Sequence, residues 1–259
     1  MTKIKAMDVL VIGGGINGAG IARDLAGRGL TVMLCEKDDL ACATSSASTK
    51  LIHGGLRYLE HGKFRLVREA LIERAVLLRA APHIIHPLTF ILPHDKRQRP
   101  WWLIRLGLFI YDNLGGRKAL AASQGVSFAG TKFGQPLKPA FKRGFSYTDC
   151  WVDDARLVVL NALDAYEKGA QVLTRTECVA LERHKESGWV ATLHDHITDE
   201  NSKVHVQVVV NASGPWVNRV LGIAGKGIEK HRVRWVKGTH IIVPRLWQGE
   251  RAYVLQNSD

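Results

Sequence analysis

The chain is poor in the residues that announce disulfide frameworks, membrane spans and metal centres. Its four cysteines (Cys35, Cys42, Cys150 and Cys178) form no CxxC pair, so reduced thiols acting as small core residues are expected. No apolar run approaches the roughly 20 residues that cross a bilayer. The longest, "WWLIRLGLFIY" at 101–111, is interrupted by Arg105, and any membrane contact is therefore peripheral. The histidines show no metal-ligand spacing, and no metal is expected. Repeats, low-complexity tracts and blocks of five or six like charges are also missing, which argues against a nucleic-acid arm.

What the chain does have is a basic excess. Lys and Arg number 36 against 24 Asp and Glu, a net charge of +12 over 259 residues. Such a surface favours phosphorylated small molecules, acidic membrane surfaces or nucleic acid, with nucleic acid ranked last because the charge is scattered. The opening "MTKIKAMDVLVIGGG" reads as a first strand running into glycines, not as a signal peptide.

The most informative stretch is "DVLVIGGGINGAGIARDLAGRGLTVMLCEKDD". Residues 9–12 form a short apolar run expected of a buried parallel strand. Gly13, Gly15 and Gly18 then supply GxGxxG, with Gly14 and Asn17 between them. The first glycine permits the tight turn, the second admits a pyrophosphate, and the third lets the helix pack on the strand. Residues 16–25 are the helix whose N-terminus holds the phosphates, and 30–35 return as the second strand. Glu36, 23 residues after Gly13, is placed to accept hydrogen bonds from ribose hydroxyls and disfavours a 2′-phosphate. A dinucleotide site is expected, and this unit alone leaves FAD and NAD both open.

Residues 41–62, "ACATSSASTKLIHGGLRYLEHG", are too small and polar for a helical crossover. Thr44, Ser45, Ser46, Ser48 and Thr49 offer hydroxyls and N–H groups with little bulk, as suits a chain laid against a pyrophosphate and a flavin edge. Together with "YTDCWVDDARLV" at 147–158 and "VVNASGPWV" at 209–217, these motifs resemble the FAD-dependent, respiratory glycerol-3-phosphate dehydrogenases of bacteria. The resemblance covers essentially the whole chain and implies an α/β fold: a Rossmann-like FAD-binding domain of the glutathione-reductase and amino-acid-oxidase type, with the start of a mixed-sheet substrate domain. Members of that family are about twice this length, so the chain is expected to be an N-terminal portion.

Further along, 63–82 has apolar positions at helical spacing and interspersed, solvated arginines. Residues 83–145 show weak periodicity, and 97–118 mix tryptophans with basic residues, as either an internal helix or a segment in the headgroup layer would. A helix capped by Asp153 or Asp154 ends at Gly169, a strand follows at 171–176, and 188–210 alternate as antiparallel strands around a turn at 199–202. Residues 211–214 are a second small corner, and 234–245 look like the opening strand of a substrate domain, with the final residues partway through a hairpin. The expected division is 1–80 and 146–224 for the FAD-binding domain, 81–145 for a substrate-domain or membrane-facing insertion, and 225–259 for the start of the substrate domain.

The resemblance implies oxidation of sn-glycerol 3-phosphate to dihydroxyacetone phosphate, a hydride leaving C2 for the flavin and electrons passing on to membrane quinone. It places Lys50, Leu51, His53, Gly54 and Gly55 on the flavin, Val179 at the adenine, and Ala212, Ser213 and Gly214 at a second flavin contact. Arg57 and Tyr58 become ligands of the substrate's phosphate, and His240 the candidate for proton handling. A cytoplasmic enzyme peripheral to the inner, anionic face of the cell membrane follows, and a homodimer is allowed. The alternatives are a glycerophosphate oxidase that reduces oxygen, a non-catalytic FAD-binding fragment, and an amino-acid oxidase of similar architecture.

Overall fold

The computed structural model describes residues 5–95, 97–116, 120–184, 186–225, 233, 236 and 238–255. The chain divides into two units, one made of 1–48 and 154–240, the other of 49–153 and 241–259. The boundaries thus fall at 48/49, 153/154 and 240/241; residues 49–80, grouped by sequence with the nucleotide-binding part, pack with 81–153.

In the first unit, β1 (Lys5–Ile12) is apolar on both faces over 9–12, where both faces are buried. Leu10 and Ile12 join Met33, Cys35 and Val206 in one core, while Val9 and Val11 join Val32, Leu34, Ala22 and Ala26 in another. The period of two along the strand makes this division. α1 (Ile16–Gly27) leads to β2 (Val32–Cys35), parallel to β1, and β7 (Gln171–Leu173) adds beyond it. On the other side of β1 lies β10 (Glu200–Asn211), also parallel, followed by antiparallel β9 (Trp189–Asp195) and β8 (Thr176–Arg183). α4 (Asp154–Glu167) packs on α1 through Ala19, Val158 and Ala162, small side chains that allow close approach. Asp154 Oδ1 accepts the Ala155 N–H at the start of α4, and Gly169, at φ +94°, follows its end.

Two sequence expectations are adjusted here. The single strand expected at 171–176 is broken because Arg175 takes φ +51°. The hairpin turn lies just before 200, with Asp199 at φ +58°.

The second unit is built on strands that the weak periodicity of 83–145 concealed. β4 (Ile85–Pro93) pairs antiparallel with β6 (Arg143–Val152) over nine positions, and β3 (Leu51–Ile52) and β5 (Gln124–Ser127) also pair with β6. α2 (Phe64–Ala80) and α3 (Trp101–Leu114) bury Val67, Leu71, Leu108 and Tyr111 against Phe90, Leu92 and Phe145. Of the strand expected at 234–245, residues 234, 235 and 237 lie outside the described residues, and 238–250 contain no strand; Ile241 and Ile242 are 80% and 102% exposed. The last described strand, β11 (Arg251–Tyr253), runs parallel to β4. Among the described residues no helix is long and apolar enough to cross a membrane.

Candidate functional site

The first unit holds a cavity of about 370 Å3 where β1, β2 and β10 end and α1 and α5 (Val217–Ile223) lie nearby. β1 connects through α1 to β2 on one side and has β10 on the other, so the cavity opens at the carboxyl ends of strands where the topology reverses, the usual ligand position in such sheets.

Each glycine of the turn has a local reason. Gly13 has φ +116°, and a Cβ there would sit 2.6 Å from the Ala212 carbonyl oxygen. At Gly18 a Cβ would come within 1.8 Å of the Gly13 oxygen, so α1 docks on the turn only without a side chain. Gly15 lines the cavity and caps α1 with no side-chain hydrogen bond, leaving first-turn N–H groups for an anion. One of them is used: Ile16 N–H donates to Ser45 Oγ at 3.0 Å. Asn17 also lines the cavity, whereas Gly14 and Gly18 lie behind its surface.

Gly14 serves Glu36. Its N–H donates to Glu36 Oε2 at 2.6 Å, and Asp38 N–H donates to Oε1 at 3.0 Å. Two backbone donors thus lock the carboxylate on the cavity wall, and each oxygen keeps a lone pair for a hydroxyl. Thr44 and Ser45 line the cavity. Ser46 does not; its hydroxyl donates to the Ala43 carbonyl at 3.3 Å.

On the facing side, Ala212, Ser213 and Gly214 line the cavity beyond the end of β10, and Val179 reaches it from the bulge between Cys178 and Ala180 in β8. A bulge re-aims a side chain, which is why a strand residue faces a ligand space. Burial pushes the Cys178 thiol up to about 12 and Cys35 well above its usual range, so both stay neutral wall residues. Cys42, also in the lining, is exposed instead of buried as the composition suggested.

Sequence reasoning missed the outer wall. Lys37 Nζ stands 4.7 Å from the Trp216 ring centroid, and Arg219 pairs with Glu177 at 2.6 Å. The signal was present in the helical spacing of Trp216, Arg219, Val220 and Ile223, all of which line the cavity.

The remaining expected residues, His240 apart, belong to the second unit. Lys50 takes φ +56° and Leu51 opens β3. Gly54 donates its N–H to the Tyr111 hydroxyl at 2.7 Å, and a Cβ on Gly54 would meet Leu71 at 2.5 Å. Gly55, at φ +71°, lies under the Tyr58 ring, 2.5 Å from where its Cβ would be. The glycine pair is therefore required by this unit's own packing. His53 Nδ1 accepts the Gly55 N–H at 2.9 Å, which puts the proton of a neutral ring on Nε2. Arg57 is exposed and makes no ion pair or hydrogen bond among the described residues; Tyr58 is half exposed. His240 is exposed outside the cavity lining, in a stretch with no strand partner to orient it.

The family model of FAD dependent oxidoreductases matches residues 8–258. The chain belongs to this family. A D-erythritol 1-phosphate dehydrogenase of Brucella abortus is 54% identical over 259 residues, 100% of this chain and 51% of that protein. A glycerol-3-phosphate dehydrogenase of Pseudomonas aeruginosa is 56% identical over 255 residues, 97% of this chain and 48% of that one. The chain spans about half the length of the curated relatives it matches. Among solved structures, the glycerol-3-phosphate dehydrogenase from Bacillus halodurans complexed with FAD aligns with a TM-score of 0.63 and 30% identity over 85% of this chain and 36% of that one. The first unit fits the FAD of this family: glycines stand where a Cβ would clash, a helix N-terminus has a glycine as its cap, and an anchored carboxylate faces the cavity.

Proposed function

We propose that this chain forms the FAD-binding part of a dehydrogenase for phosphorylated polyols, oxidising sn-glycerol 3-phosphate to dihydroxyacetone phosphate. The observation that carries the reading is identity of 54–56% across nearly the whole chain to two dehydrogenases named for polyol phosphates, together with a cavity suited to the family's cofactor. When bound, FAD supplies the two-electron acceptor. The residues 13–18 and the start of α1 hold its pyrophosphate, Glu36 its ribose, Val179 the adenine end, and 212–214 a second contact. Lys50, Leu51, His53, Gly54 and Gly55 form the flavin-edge segment. Arg57 takes the substrate's phosphate, since a guanidinium forks onto two phosphate oxygens, and Tyr58 adds a hydroxyl. His240 is not assigned the proton-handling role.

A second reading is supported by the Brucella abortus relative: the substrate is the four-carbon D-erythritol 1-phosphate. Purified protein incubated with FAD and freed of excess cofactor should retain an absorption band near roughly 450 nm. Anaerobic bleaching of that band by glycerol 3-phosphate at lower concentration than by erythritol 1-phosphate supports the first reading, and the reverse order the second. A colourless protein would refute FAD binding by this chain alone.

The reading extends to membrane quinone as acceptor and to a peripheral position at an anionic, cytoplasmic membrane face. Trp102, Leu106 and Phe109 support it, exposed at helical spacing on α3 in a net basic chain. Peroxide release without membranes would favour an oxygen-using oxidase instead.

A further inference from the structure

The stretch 147–158 contributes an aspartate that the proposed chemistry leaves unused. Asp149 lies on β6 with its side chain 4% exposed, ion-paired to Arg74 of α2, which is itself only 14% exposed. Arg74, expected from its helical neighbours to be solvated, is thus drawn inward by a buried charge. From α3, Tyr111 donates its hydroxyl proton to Asp149, with oxygen separations of 2.9 and 3.0 Å, and accepts the Gly54 N–H at 2.7 Å. The direction of this chain is set by chemistry. A carboxylate only accepts, so the single phenolic proton points to Asp149 and the oxygen lone pair is left for Gly54. Burial raises the Asp149 carboxyl, and Arg74 opposes that rise. Burial, followed by the Asp149 charge, drives the Tyr111 phenol upward, so it keeps its proton.

Gly54 sits three residues before Arg57. The chain between them is short and tied: Gly55 N–H to His53 Nδ1, then Tyr58 N–H to the Gly55 oxygen at 2.8 Å, opening the 3-10 turn Leu56–His61. An anchor at Gly54 therefore sets where Arg57 begins.

We propose that Arg74, Asp149 and Tyr111 are positioning residues for the turn that carries Arg57, and through it set the affinity for the substrate's phosphate. The inference rests on the reading of Arg57 as a phosphate ligand. Tyr111→Phe keeps the ring and removes only the hydroxyl. In FAD-loaded protein, amide hydrogen exchange over 51–58 should then rise about tenfold, and the dissociation constant for inorganic phosphate should rise by about the same factor, the expected scale for one unsatisfied buried donor. Retention of the flavin band checks only that FAD stays loaded. In an Arg57→Ala background, Tyr111→Phe should weaken phosphate binding no further, which a general loss of packing would not reproduce.

Parental exchange at 51–58, or an equal loss of phosphate affinity with and without Arg57, overturns the inference. Parental phosphate affinity in Arg57→Ala alone overturns the reading of Arg57 and the inference with it, an outcome distinct from the other two. If Tyr111→Phe precipitates, Asp149→Asn, of matched volume, decides on the same two measurements.

Discussion

Gly18 has no room for even a methyl group, because its Cβ would fall 1.8 Å from a backbone oxygen of the turn it packs on. Gly18→Ala should push α1 off the Gly13 turn, lower the melting temperature and abolish retention of the flavin band; a yellow protein after cofactor removal would contradict this account of the turn. In a complete enzyme of the proposed function, Arg57→Ala should raise the KM for glycerol 3-phosphate at least about tenfold, as expected for a lost charged hydrogen bond, with the flavin band intact. An unchanged KM would remove Arg57 from the site. These residues also show what sequence makes legible. The constraint joining Gly18 to Gly13 spans five residues and is visible as a motif. The packing constraint on Gly54 comes from Tyr111, 57 residues on, and no local motif reveals it.

Elements differ in the same way. β1 and α1 declare themselves by apolar runs and local turn chemistry. β4 does not: it carries Pro87 and Pro93 opposite Cys150 and Gly144 of β6, and proline within a run argues against a strand when its partner is unknown. The pairing that overrides this lies more than 50 residues away. The stretch 238–245 fails oppositely, with alternating side chains and no partner strand. α3 mixes both fates, burying Leu108 and Tyr111 while leaving Trp102 and Phe109 66% and 58% exposed. Replacing Trp102 and Phe109 together by serine should reduce cosedimentation with anionic phospholipid vesicles at least about tenfold. The melting temperature should hardly move. Equal vesicle binding by the variant would take α3 out of any membrane contact.

For the molecule as a whole, acid should act through opposed groups. Hydrogen bonds from Lys168, then Arg23, hold the Asp164 carboxyl below its ordinary value. Its contribution to stability is therefore complete above the unfolded carboxylate range near 4 and is lost as pH falls through the lower folded value. Asp149 has the contrary sign: burial raises it, so its cost appears as pH rises and is relieved by acid. Urea unfolding between about pH 6 and 3 should show the parent losing more stability than Asp164→Asn. Parallel losses would show that the Asp164 ion pairs are energetically silent. The net charge of +12 should also make capture of a phosphorylated substrate fall with added salt.

The partnership of β1 with β10, Lys5 beside Val204, bears on how the protein is made. At roughly 5–20 residues per second, a ribosome needs roughly ten to forty seconds after releasing β1 to deliver its central neighbour. Throughout that interval one edge of β1 lacks its native strand, and unpaired apolar edges invite association with other chains. The stretch 49–153, which carries β3 to β6 in one piece, emerges complete in the meantime. Synthesis therefore leaves the nucleotide fold waiting on its last strand, and chaperone demand should be greatest before residue 211 appears.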